Sequence, residues 1–192
     1  MQKIKILFEN DKIKVVEIDE EIGIIPSFMS VTILPFVSDK QGLPISIGVI
    51  KEKNPFREGG QSISLISGTS EDEDPDLLTT AKRELLRESG FDASDNKRWY
   101  YLGAVTSAKF IDHEQPCFAV DVTDLPITIP KVENTKIKKE NEFKFIPAND
   151  IVKSKDIFIP GLFMKLFKYV LGMDIQSQGE DSKQDKGFNF SI

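Results

Sequence analysis

The 192-residue sequence is poor in the residues on which several kinds of site depend. Its single cysteine, Cys117, excludes an internal disulfide and a zinc site built from several cysteines. Its single histidine, His113, excludes metal sites that need two histidines. The sequence also lacks the Gly-x-x-x-x-Gly-Lys-Ser/Thr pattern of a phosphate-binding loop and the dinucleotide-binding fingerprint. These absences exclude a disulfide-stapled protein, a multi-histidine metal site and a P-loop protein.

Long apolar segments and an excess of positive charge are missing as well. The longest uncharged run, residues 22–38, is shorter than the ~20 residues of a membrane-spanning helix, and prolines interrupt it. The first ten residues carry charges where a signal peptide needs an apolar core. With 25 Lys and Arg against 31 Asp and Glu, the net charge of −6 argues against a general nucleic-acid binder. We expect a soluble, cytoplasmic protein with no membrane partner, or a virion protein if the chain is viral.

The length suits one domain with small additions. Alternating apolar residues on both sides of an Asn10-Asp11 turn predict an N-terminal β-hairpin extension over residues 1–28. A central domain is predicted at 29–174, followed by a polar tail at 175–192. Within the domain, apolar β-branched stretches predict strands at 29–37, 45–50, 62–66, 99–106, 115–122 and 142–146. Shorter helical segments are predicted at 148–152 and 161–172, after a long polar connection at 124–141.

The tail has two parts. Residues 176–186 have the composition of a disordered segment, whereas Phe188, Phe190 and Ile192 alternate with other residues. One interpretation is a loose end. The other is a short strand that pairs with a sheet edge, in the same chain or in a partner.

A helix is predicted from about Asp74 to Ser89. Asp74 can serve as the N-cap, proline suits the first turn that follows, and Gly90 stands where helices commonly end. Its apolar residues recur at spacings of three and four and should pack on the sheet: Leu77, Leu78, Ala81 and Leu85.

Glu84 and Glu88 lie four residues apart on this helix, so both carboxylates project from one face. A hard cation between them would offset their repulsion, and Mg²⁺ is usually held by one or two carboxylates with water and substrate phosphates. The alternative is that Arg87 pairs with both glutamates on a solvated helix face, with no metal.

The stretch from Gly68 to Phe91 resembles the signature box of the Nudix hydrolases, Gly-x5-Glu-x7-Arg-Glu-U-x-Glu-Glu-x-Gly-U, where U is a bulky apolar residue. Gly68 opens the box, and Arg83-Glu84-Leu85-Leu86, Glu88 and Ser89-Gly90-Phe91 match its second half. The box departs from the pattern in three ways. Gly68 and Arg83 are 15 positions apart (83 − 68) where the family has 14, the early glutamate is replaced by Asp74 or Pro75, and Arg87 stands where the first paired glutamate belongs.

The resemblance implies a Nudix-like α/β/α sandwich with a mixed β-sheet. It implies that Glu84, Glu88 and the Gly68 carbonyl bind Mg²⁺ or Mn²⁺, and that Arg83 fixes the loop against the helix. Arg87 would weaken this site, leaving fewer metals or none. More weakly, residues 30–172 look like the ADP-ribose pyrophosphatase branch, in which N-terminal extensions often help to form homodimers.

Two functions follow from these expectations. The first is a metal-dependent hydrolase that cleaves a diphosphate linkage in a nucleoside diphosphate derivative, with Arg83, Glu84 and Glu88 as its catalytic residues. Arg57 is a candidate for binding a substrate phosphate. The candidates for a catalytic base are Glu114, Glu133, Glu140 and Glu142. The alternative is a catalytically lapsed Nudix-fold module, for binding or for assembly into a larger particle, that docks through its tail.

Overall fold

The computed structural model describes residues 4–18, 21–106, 111, 113–128 and 141–173. The strands of this part of the chain are β1 (Ile4–Glu9), β2 (Ile13–Ile18), β3 (Glu21–Pro26), β4 (Ser30–Ser38), β5 (Pro44–Lys53), β6 (Gln61–Ser64), β7 (Ile66–Thr69), β8 (Trp99–Thr106), β9 (Glu114–Asp121) and β10 (Glu142–Pro147). The α-helices are α1 (Leu77–Ser89) and α2 (Phe158–Val170). Short 3-10 helices occur at Glu58–Gly60, Asn96–Arg98 and Ala148–Lys153.

The larger sheet is mixed. Its main path runs β10-β5-β4-β9-β8, while β6 pairs with β5 and β7 pairs with β4. The β4–β9 pair is parallel and the other pairs are antiparallel. Because β4 is central, it is buried on both faces, which explains its continuous apolar sequence.

Each face of this sheet carries one helix. Along β4, Ile33 belongs to the core beneath α1, and Leu34 belongs to the core beneath α2. The α1 core includes Ala81 and Leu85 of the helix, and the α2 core includes the helix residues Ile159, Leu162 and Leu166. Adjacent strand residues point to opposite faces, so one strand supplies both cores. The predicted α/β/α sandwich with a mixed sheet is confirmed.

The N-terminal residues form a separate three-stranded antiparallel sheet in the order β1-β2-β3. Asn10 accepts hydrogen bonds from the backbone N–H groups of Lys12 and Ile13, which closes the predicted hairpin. The third strand, β3, was not predicted, because its short Ile-Gly-Ile-Ile run lacks clear alternation. Within the described part of this sheet only Val16 is fully buried, so this sheet encloses little core of its own.

Both α-helices begin at residues other than those predicted. Helix α1 begins at Leu77 with Asp76 as its N-cap, so the prediction that Asp74 caps it is wrong. Helix α2 begins at Phe158, earlier than predicted, because Pro160 is tolerated in a first turn.

The tail from 175 onward and most of the 124–141 connection lie outside the described residues. No helix in the described ranges is long and apolar enough to cross a membrane.

Candidate functional site

Gly68 and Glu84 are packed directly against each other. Gly68 lies in β7, where it pairs with Val31 of β4, and α1 crosses this part of the sheet. Glu84 is a buried residue of α1, and its side chain is only 2% exposed. A Cβ added at Gly68 would overlap the Cγ and Cδ atoms of Glu84. Glycine is therefore needed at position 68 to leave room for a carboxylate, and no unusual backbone angle is involved.

The Glu84 carboxylate lies between two guanidinium groups. Oε1 contacts Arg83 Nη1, and Oε2 contacts Arg87 Nη2. The second contact is an ion pair without a hydrogen bond, and Oε2 is the one buried side-chain N or O atom among the described residues that lacks a hydrogen bond. Burial raises the pKa of Glu84, and the two arginines oppose this shift. The buried charge is thus only partly compensated.

Arg83 joins the acidic loop before α1 to the helix. Its Nη2 donates hydrogen bonds to Asp74 Oδ2 at 2.8 Å and to the Thr69 carbonyl at 3.0 Å, and its Nη1 lies 3.0 Å from Glu71 Oε1. The hydrogen bond from Arg83 holds the pKa of Asp74 far below its usual range and raises that of Arg83 itself. Asp74 also accepts from the Thr80 hydroxyl at 2.9 Å. Asp74 is thus unavailable as the helix cap because it is the partner of Arg83.

Arg87 bridges the two glutamates on the other side. Its Nη2 contacts Glu84 Oε2 and lies 2.9 Å from Glu88 Oε1. The Arg87 side chain is 46% exposed, and that of Glu88 is 19% exposed. The pairing predicted as the metal-free alternative is therefore present, but it lies at a buried carboxylate rather than on a solvated face.

A cleft of about 410 Å³ opens beside this network. Its lining includes Glu84, Arg87, Glu71 and residues 67–70 of β7 and the turn after it. Glu88 contacts the network but is not among the lining residues, and neither is Arg57, which is exposed in the loop after β5. The cleft therefore faces the Gly68–Glu84–Arg87 part of the predicted site.

Solved structures share this architecture. A crystal structure described as an ADP compounds hydrolase matches with a TM-score of 0.63 and 12% identity, covering 90% of this chain and 95% of that one. A protein of Listeria monocytogenes assigned as a NUDIX hydrolase matches with a TM-score of 0.53 and 18% identity, covering 76% of this chain and 96% of that one. No protein-family model matches the sequence, and no curated protein matches it. The chain has a Nudix-like fold.

At these sequence identities the similarity concerns the fold alone. Whether the site suits a metal ion depends on the charges and the ligand atoms of its own residues. The network contains four carboxylates (Glu71, Asp74, Glu84, Glu88) and two guanidiniums (Arg83, Arg87), which leaves two negative charges. No group of three or more His, Cys, Asp or Glu residues is arranged to hold a metal among the residues described. Glu84 and Glu88 contact the same cationic nitrogen, Arg87 Nη2, so these two carboxylates would suit one hard cation that completes its shell with water if Arg87 withdrew.

Several lining residues were missed by the sequence analysis. Phe28, Ser30 and Gln115 line the cleft, and Ser30 Oγ lies 2.9 Å from His113 Nε2. The Phe28 ring also lies 5.9 Å from the His113 ring, centroid to centroid. Ser30 and His113 are 83 residues apart and meet because β4 and β9 pair in parallel. No local pattern could have brought them together.

Neither of the two described candidates for a catalytic base lines the cleft. Glu114 and Glu142 are exposed first residues of β9 and β10, and neither lines the cleft. Glu133 and Glu140 lie outside the described residues.

Proposed function

We propose that this protein is a Nudix-type hydrolase that cleaves a diphosphate linkage in a nucleoside diphosphate derivative with the help of one Mg²⁺ or Mn²⁺ ion. The observation that carries the proposal is the Glu84 carboxylate. It is buried beneath Gly68, borders the cleft, and has one oxygen that accepts no hydrogen bond and is held by the ion pair with Arg87. A charged group is costly to bury unless its partners compensate it.

The proposed metal ligands are Glu84, Glu88 and the Gly68 carbonyl. A bound divalent ion would offset phosphate charge and activate water. Arg83 serves as a positioning residue, because its bonds to Asp74 and the Thr69 carbonyl hold the turn after Gly68 against α1. These bonds hold Thr69 and Asp74 against the helix that carries the two carboxylates.

The charges around the cleft support a substrate that arrives with a metal. The surplus of two negative charges in the network disfavours a free diphosphate. Phe28, which is 39% exposed in the cleft wall, offers an aromatic face to the flat ring of a nucleoside base. Arg57 is left out of the proposed site, since its side chain neither lines the cleft nor pairs with a residue of the network, as Glu88 does.

A second candidate function is a Nudix-fold binding or assembly module without catalysis. The observation in its favour is that Arg87 Nη2 contacts both of the carboxylates that would bind the metal. A cation fixed in this position leaves the two glutamates no need of a metal.

Titration calorimetry with Mn²⁺ separates the two functions. The hydrolase should bind one Mn²⁺ per chain, lose that binding in Glu84→Gln and Glu88→Gln, and release AMP from ADP-ribose only when the metal is present. Glu114→Gln is the matched control, because it neutralises an exposed glutamate outside the cleft. If the native protein binds no Mn²⁺ and releases no AMP, the hydrolase proposal fails and the binding module remains.

A further inference from the structure

Arg87 is held much less firmly than Arg83. Within the described residues its only ion-pair partners are Glu84 and Glu88, and it makes no side-chain hydrogen bond there. Its side chain is 46% exposed, against 28% for Arg83. It also lines the cleft, whereas Arg83 does not. Among the described residues, the Arg87 guanidinium therefore has two partners to lose on moving into the cleft, whereas Arg83 has four.

A divalent ion and the Arg87 guanidinium would compete for the same oxygens. Glu84 Oε2 and Glu88 Oε1 both lie against a single nitrogen, Nη2. A metal that binds these two oxygens at about 2.0–2.1 Å would occupy nearly the same space as Nη2, and the two positive charges would repel each other. Binding of the ion therefore requires the guanidinium to move, and the open side of its position is the cleft.

We propose that Arg87 exchanges with a divalent metal at this site. The metal displaces the Arg87 guanidinium from Glu84 and Glu88, and the released guanidinium then binds a phosphate group of the substrate. This inference rests on the proposed metal site and adds a specificity-determining residue to it. A guanidinium presents several donors in a plane and pairs well with phosphate oxygens. The residue that departs from the signature box would thus serve the ligand once the metal has taken its place.

The exchange predicts opposite effects of one substitution on two ligands. Arg87→Met removes the competitor, so Mn²⁺ should bind about tenfold more tightly or better in calorimetric titration of the whole chain. The same substitution removes a phosphate donor, so ADP should bind about tenfold more weakly at saturating Mn²⁺, as expected for the loss of a charged hydrogen bond. Arg57→Met, the same change at an exposed arginine outside the cleft, should alter neither affinity more than about twofold.

Several results would contradict the exchange or the metal site on which it rests. Unchanged Mn²⁺ affinity in Arg87→Met would overturn the exchange, and so would unchanged ADP affinity at saturating Mn²⁺. Arg87→Lys should keep much of the ADP affinity, because it retains the charge without the planar fork; a loss as large as that of Arg87→Met would count against phosphate binding. If neither the native protein nor Arg87→Met binds Mn²⁺, the proposed metal site itself fails, which is a different result from failure of the exchange alone.

Discussion

The two arginines of α1 lie one helical turn apart, contact the same carboxylate and occupy different surroundings. Arg83 is tied to the loop side by Asp74, Glu71 and the Thr69 carbonyl, with its side chain 28% exposed. Arg87 faces the cleft side with its side chain 46% exposed. Two identical side chains one turn apart thus differ in how firmly they are held, because they differ in the number and the burial of their partners.

The largest effect on stability is expected from Arg83→Met. It would leave Asp74, whose side chain is 6% exposed, without its arginine partner, and Glu84, whose side chain is 2% exposed, with Arg87 alone. Breaking a buried ion pair by removing one partner costs about 3–5 kcal/mol. Urea unfolding should show a loss of this size, with Arg57→Met as the control. A loss below about 1 kcal/mol would place Arg83 among ordinary surface charges and remove the contrast with Arg87.

The close packing at Gly68 should have the next largest effect. Gly68→Ala places a Cβ on the Glu84 side chain, and overpacking of this kind costs about 1–3 kcal/mol. The matched control is Gly161→Ala in α2, where a Cβ meets nothing within 4 Å. The control should raise the unfolding free energy by about 0.5–1 kcal/mol, because alanine is the better helix former. If both variants are stabilised, Glu84 does not pack against Gly68 as described.

Arg87→Met should change stability less than Arg83→Met. Glu84 would keep its contact with Arg83, and Glu88 is close enough to the surface to be hydrated. Because Glu84 Oε2 is buried and would lose its partner, the expected loss by urea unfolding is about 1–3 kcal/mol. An equal loss in the two variants would show that the two sides of Glu84 are equivalent, contrary to the comparison.

The contribution of Asp74 to stability depends on pH and is lost in acid. Because its pKa in the folded protein is lowered from the ordinary value of 3.8, its contribution to stability is fully present above that value. This contribution is lost as the pH falls through the lower, folded pKa. Unfolding free energies measured between pH 7 and pH 2 should therefore fall less steeply below about pH 4 in Asp74→Asn than in the native protein. The control is Asp72→Asn, which changes an exposed residue of the same loop and should not alter the dependence of stability on pH. If Asp72→Asn alters this dependence as Asp74→Asn does, the loss of a negative charge in general, rather than the pair with Arg83, is responsible.

Much of the fold could be predicted from local patterns. The apolar stretch of β4 and the spacing of Ala81 and Leu85 each reflect a surface that has to be buried, so both elements were predicted. Ala81 and Leu85 are buried as expected, Leu77 and Leu78 are partly buried beside them, and the burial of Thr80 was not predicted. The cap of α1 could not be predicted correctly. Asp74 and Asp76 are both suitable capping residues, and the choice depends on Arg83, a full turn inside the helix.

The candidate site was predicted in part. The four-residue spacing of Glu84 and Glu88 was enough to single them out, since it places both on one helix face. The burial of Glu84 beneath Gly68 was not foreseen, because it depends on how closely α1 approaches β7. The lining residues Phe28, Ser30 and Gln115 could not be assigned at all, because strand pairing between distant segments brings them to the cleft.

The sequence alone determined which secondary structures this chain can form and which carboxylates share a helix face, because both depend on periodicities of a few residues. The tertiary structure decided that Glu84 is buried, that Arg83 contacts both the acidic loop and Glu84 of the helix, and that Arg87 lines a cleft. Burial and the distance between charges are properties of packed elements rather than of spacing along the chain. The free energy of a charge depends on both, so the roles of these three residues became distinct only in the folded protein.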